Sequence, residues 1–135
     1  MRQIKFRGKR LDNGAWIYGD LIHIDKSDIG IVTDYDHWSG CRINPDTVGQ
    51  FTGLLDRNGK EIYEGDIIKV DEFAMPCEVI WYEKTASFQL RYHVDGGFNI
   101  PKDALGLWVQ DYKDVIAVIG NIHDNPELIN QPTEV

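Results

Sequence analysis

Glu61, Glu64 and Asp66 place three carboxylates within six residues, a density that suits general acid and base work if two of them converge on a substrate. The competing expectation is structural. In an alternating strand Glu61 faces solvent while Asp66 braces a bend, and a second Gly-Asp pair at Gly19-Asp20 favours that reading. A second cluster, Asp34, Asp36, His37 and Cys41, offers oxygen, nitrogen and sulfur ligands within eight residues. Structural zinc favours four ligands with closely spaced thiolates, and Cys77 and His93 would have to arrive through the fold to complete such a set. A polar loop with one thiol is the better expectation, so no metal and no cofactor is assigned. Ser39 lies in Trp38-Ser39-Gly40-Cys41, which is not a nucleophile elbow, and no histidine sits beside both a nucleophile and an orienting acid. There is no phosphate loop or dinucleotide fingerprint, and Gly96-Gly97 is a lone pair in a turn. No catalytic residue is therefore assigned, and the chain is read as a non-enzyme.

Charge points to a third kind of chemistry. The chain carries 14 basic and 22 acidic residues, a net charge of −8 that repels phosphate backbones. Five of the bases (Arg2, Lys5, Arg7, Lys9 and Arg10) fall in the first ten positions, which contain no acid. This Arg2–Arg10 strip is the best sequence hint of a nucleic-acid role. Against it, basic side chains on the outward face of an edge strand discourage unwanted pairing. Trp38, Trp81 and Trp108 suit base stacking, but without interleaved bases they are read as core or interface residues.

These groups must be held by a fold built from a repeat. Phe6, Gly8, Asn13-Gly14, Ile17-Tyr18 and Gly19-Asp20 recur 45 residues later as Phe51, Gly53, Asn58-Gly59, Ile62-Tyr63 and, after the extra Glu64, Gly65-Asp66. Asn-Gly supplies the positive φ of a tight hairpin, and Gly-Asp is expected to bend or bulge the returning strand. Alternating or β-branched runs predict strands at Ile4–Arg7, Trp16–Ile24, Ile29–Thr33, Val48–Thr52, Glu61–Tyr63, Ile67–Val70, Val79–Tyr82 and Ser87–His93. Val115–Ile119 is wholly apolar and predicts a buried strand. Pro101–Leu105 predicts one helical turn, and Asn125-Pro126-Glu127-Leu128 a short C-terminal one. The fold class is mostly β: an SH3-like small barrel built from repeated hairpins. It is expected as a single domain over 1–135, or as two intimately packed β subdomains of about 1–50 and 51–135.

The run Phe51-Thr-Gly-Leu-Leu-Asp-Arg-Asn-Gly-Lys-Glu-Ile-Tyr-Glu-Gly-Asp-Ile-Ile-Lys69 resembles the central signature of the YopX proteins of phages and prophages. Ile4-Lys-Phe-Arg7 and Ile119-Gly-Asn-Ile-His-Asp-Asn-Pro-Glu-Leu128 are similar to that family's two ends. The resemblance implies an SH3-like barrel carried on a mobile genetic element, and it implies no reaction or ligand.

Apolar residues make up 42% and aromatics 11%, enough for a hydrophobic core, and no run approaches the roughly 18 apolar residues of a membrane span. The charged N-terminus lacks a signal-peptide core, and Cys41 and Cys77 are isolated, so two reduced thiols in the cytoplasm are expected. The partners expected are a second copy of the chain, which would cover sheet edges and aromatic surface, and a host or phage protein. Nucleic acid is disfavoured, and no membrane is expected.

Overall fold

A computed structural model describes residues 2–33, 40–71, 75–94, 98–105 and 113–129. They form antiparallel sheets in two compact units, Met1–Gly53 and Leu54–Val135.

The first unit contains β1 (Phe6–Lys9), β2 (Trp16–His23), β3 (Ile29–Val32) and β4 (Cys41–Arg42). A 3-10 turn (Pro45–Thr47) follows, and then β5 (Gly49–Leu55), which carries the chain into the second unit. The strands lie in the order β4-β3-β2-β1-β5. β1 is therefore interior rather than the expected edge, bonded to β2 on one side and β5 on the other. Just beyond β4 an isolated bridge joins Ile43 to Arg10, curling these strands around Ile31, Val32 and Ile43 without closing a barrel. Asn44 caps the 3-10 turn through Asp46 N–H at 3.0 Å, and Thr47 Oγ1 accepts from Lys9 N–H at 2.8 Å. These bonds tie the turn to β1 and satisfy backbone groups that burial would otherwise orphan.

Gly19-Asp20 does not interrupt β2, contrary to the bend expected there. Residues up to Gly19 pair with β1 and those from Asp20 pair with β3, so the pair marks a change of partner inside an unbroken strand. A side chain at Gly19 would collide with the Val32 carbonyl, so glycine permits the close approach of β3.

The second unit contains β6 (Glu61–Tyr63), β7 (Asp66–Val70), β8 (Cys77–Tyr82), β9 (Ser87–Val94), β10 (Phe98–Ala104) and β11 (Ile116–Asn121). All but β6 form a sheet in the order β10-β9-β8-β7-β11, while β6 returns beside the end of β5 as the second hairpin. β7, which lies between β8 and β11, is buried along its length except for the half-buried Lys69. Ile62, Ile68, Val70, Cys77, Val79, Leu90, Leu105 and Ile116 form one cluster fully withdrawn from solvent. Each large aliphatic among them contributes about 1.5–3 kcal/mol relative to exposure.

Two local expectations are corrected here. Pro101–Ala104 belongs to β10, not to a helical turn. Pairing with β9 from Phe98↔Val94 to Ala104↔Gln89 outweighs the local helix signal, and a register shift between Pro101 and Asp103 accommodates the proline. Val115–Ile119 is only partly buried: Ile116 and Ala117 face the interior, whereas Ile119 is 43% exposed. Lys113–Val115 forms a 3-10 turn before β11. After β11, Pro126–Leu128 forms another; the Asn125 side chain does not cap it, and instead accepts from Asn121 N–H at 3.3 Å.

Candidate functional site

Two of the three carboxylates at 61–66, Asp66 and Glu61, are drawn into different local tasks. Asp66 is buried, and its Oδ2 accepts from Tyr63 N–H at 2.7 Å, bracing the turn through Glu64 and Gly65. Gly65 occupies the left-handed region at φ +91°, where a side chain is strained. Glu61 Oε1 accepts from the Tyr63 hydroxyl at 3.2 Å.

The carboxylate most firmly committed is one the sequence left unmarked. Asp56 is 1% exposed; its Oδ1 accepts from Asn58 N–H at 2.8 Å and Lys60 N–H at 2.9 Å, and its Oδ2 from Val118 N–H at 2.9 Å. Burial pushes its pKa up, but the three backbone donors, helped by the Lys60 charge, prevail and hold it below the ordinary value. The spacing Asp-x-Asn-Gly was the available signal, since an aspartate there accepts from the turn that follows it. Leu11 holds the corresponding position in the first copy.

The basic strip is not a free row of cations. Arg7 is buried with its guanidinium carbon 4.7 Å from the Trp16 ring centre, Lys9 Nζ lies 5.5 Å from the same ring, and Lys5 Nζ lies 5.3 Å from Phe51. These are cation–π distances. Lys9 and Arg7 pair across from Trp16 and Tyr18, so the cations and aromatics share one face of the β1–β2 ladder. Arg10 is held by Asp12 through bonds of 2.9 and 2.6 Å. Of the tryptophans named from sequence, Trp81 is 45% exposed and packs edge-to-face on Phe88 at 5.1 Å; Trp38 and Trp108 lie outside the described residues.

The first unit also presents a depression of about 660 Å³, a size that suits a small ligand or a partner's side chain. Ile17 from β2, Ile31 and Val32 from β3, and Leu11 supply its apolar lining. Arg10, Asp12, Cys41 and Arg42 supply polar groups. Asp12 raises the Arg10 pKa above its usual value, the nearby Cys41 sulfur adding to this, and Arg10 in turn holds the Asp12 carboxyl below its own. Arg42 Nε bonds Asp28 Oδ2 at 3.3 Å. Both guanidinium groups are thus oriented by carboxylates. Among the described lining residues no histidine stands by to take a proton from the Cys41 thiol.

Asp34, Asp36, His37 and Ser39 lie outside the described residues, as do Gly96 and Gly97. Cys41 lines the depression, half-buried, whereas Cys77 is fully inside the core of the second unit; both are free thiols. Among the described residues no three His, Cys, Asp or Glu side chains are grouped to hold a metal ion. Among them, too, no helix is long and apolar enough to cross a membrane.

The family model for the YopX protein matches residues 5–130. The chain belongs to the YopX family. Among solved structures it is similar to protein EF1440 from Enterococcus faecalis, with 27% identity and a TM-score of 0.52 over 96% of this chain and 99% of that one. No curated protein matches this YopX chain.

Proposed function

We propose that this YopX protein is a non-enzymatic interaction module, carried by a phage or prophage and acting in the cytoplasm through contacts with another protein. The observation that carries this reading is the depression of the first unit, which combines an apolar lining with two arginines already oriented by carboxylates. Such a surface suits an inserted apolar side chain better than a reacting substrate. Leu11, a lining residue that is 60% exposed, extends the apolar area into solvent. The partner is a host or phage protein, or a second copy of the chain.

Leu11→Asp tests the proposal, because it charges this surface without disturbing a buried residue. Tagged wild-type protein is expected to retain a specific partner from host cells, or to self-associate in light scattering, and the variant to lose that contact at least tenfold. A strictly monomeric wild type that retains nothing would overturn the proposal.

A nucleic-acid reading draws on the alternation of Lys5, Arg7 and Lys9 with Trp16 and Phe51. It is weaker because Arg7 is buried and Arg10 is engaged by Asp12. Salt-sensitive binding of single strands, lost on neutralising Lys5 and Lys9, would restore it.

A further inference from the structure

β11 ends the second sheet, with β7 on one side and, among the described residues, no sheet strand on the other. In an antiparallel ladder each residue directs its N–H and C=O to the same side, and the side alternates along the strand. Ile116 and Val118 therefore share one side and Ala117 takes the other. Two groups on the Ile116/Val118 side bond to the turn of the second hairpin. The Ile116 carbonyl accepts from Arg57 N–H at 3.1 Å, and Val118 N–H donates to Asp56 Oδ2 at 2.9 Å. An added strand would make the same two bonds, with a backbone carbonyl in place of the carboxylate. Asp56 cannot swing aside freely, because its Oδ1 is held by the Asn58 and Lys60 amides.

We propose that Asp56 and Arg57 form a plug that closes the outer edge of β11 against strand addition by a second copy of this chain. The occupant excluded follows from the strand itself. Ile116-Ala-Val-Ile-Gly-Asn121 has no charge and no proline, the composition that pairs readily with its own kind when an edge is open. Ile119 already stands exposed on it. The plug belongs to the second unit and is independent of the depression in the first.

Asp56→Asn is the selective test. Asparagine keeps one oxygen, which the two turn amides claim, and sets an NH2 group against Val118 N–H. Hydrogen exchange at the Val118 amide is expected to quicken at least tenfold in dilute, monomeric protein, and the mass from light scattering to rise with concentration above that of the wild type. Adding Val118→Pro removes the edge donor and is expected to return the mass to the wild-type value. If that double variant does not fold by circular dichroism, Ile119→Lys on Asp56→Asn places a charge on the same strand and serves the same purpose. An Asp56→Asn protein that matches the wild-type mass at every concentration overturns the plug. So does association that persists with the second substitution, since another surface would then be responsible.

Discussion

In residues 6–22 the returning strand runs unbroken past its Gly-Asp pair, whereas in residues 51–68 it stops at Tyr63 and restarts at Asp66. Both pairs mark the same event. β2 leaves β1 for β3 at Asp20, and the second copy leaves the β5–β6 hairpin for β8 and β11 from Asp66 onward. The means differ. The first copy changes partner within one strand, which requires the bare backbone of Gly19 beneath the Val32 carbonyl. The second inserts Glu64, adds a turn at left-handed Gly65, and fastens it with Asp66. The hairpin turns differ as well: Arg10 N–H bonds the Ala15 carbonyl in the first, and Asp56 N–H bonds the Lys60 carbonyl in the second, one residue tighter. Shared turn chemistry fixes where a strand changes neighbours, while one residue decides whether it also breaks.

Deleting Glu64 attacks this difference most directly. A shift of one residue turns every side chain of a strand to its opposite face, here setting the fully buried Ile62 on one side of the turn against Ile68 on the other. The expected result is loss of cooperative unfolding, followed by circular dichroism on heating. A melt within a few degrees of the wild type would mean that the break is dispensable.

The glycines should separate next. Gly19→Ala forces a side chain against backbone and is expected to cost about 3 kcal/mol in urea denaturation. Gly59→Ala, where an added side chain meets nothing, incurs mainly the left-handed penalty of about 1–2 kcal/mol. Equal losses would remove the distinction between close approach and local strain.

The turn residues give the smallest contrast. Asp56→Ala leaves the Val118 amide without its acceptor and is expected to cost about 1–3 kcal/mol, whereas Leu11→Ala on the exposed first turn changes stability by less than about 0.5 kcal/mol. Only the second copy should carry an acid-sensitive contribution here. The folded Asp56 pKa lies below its unfolded value, so its stabilisation is complete above about pH 4 and fades as pH falls through the folded value. Denaturation of Asp56→Asn across that range should show a flatter acid limb than the wild type.

Much of this was legible in the residues themselves. Glu61–Tyr63 and Ser87–Val94 declare their strands through β-branched and aromatic residues, and the family signature spans the hairpin that carries Asp56. What was hidden depended on distant partners. Asp56 meets Val118 across 62 positions, β10 becomes a strand because β9 pairs with it, and Arg7 is buried in contact with the Trp16 ring from the facing strand. The depression was equally out of reach. Its lining comes from the β1–β2 turn, β2, β3 and β4, and only the pairing of those strands brings Leu11 and Ile17 to the same place as Cys41 and Arg42.

The two thiols also make the molecule its own stopwatch. Cys41 stands half-open in the first unit, while Cys77 sits at zero exposure in the core of the second. A thiol reagent must therefore wait for that core to come apart before it reaches Cys77, but needs only local breathing to reach Cys41. Comparing the two labelling rates times the opening of each half separately, with no probe added to the chain.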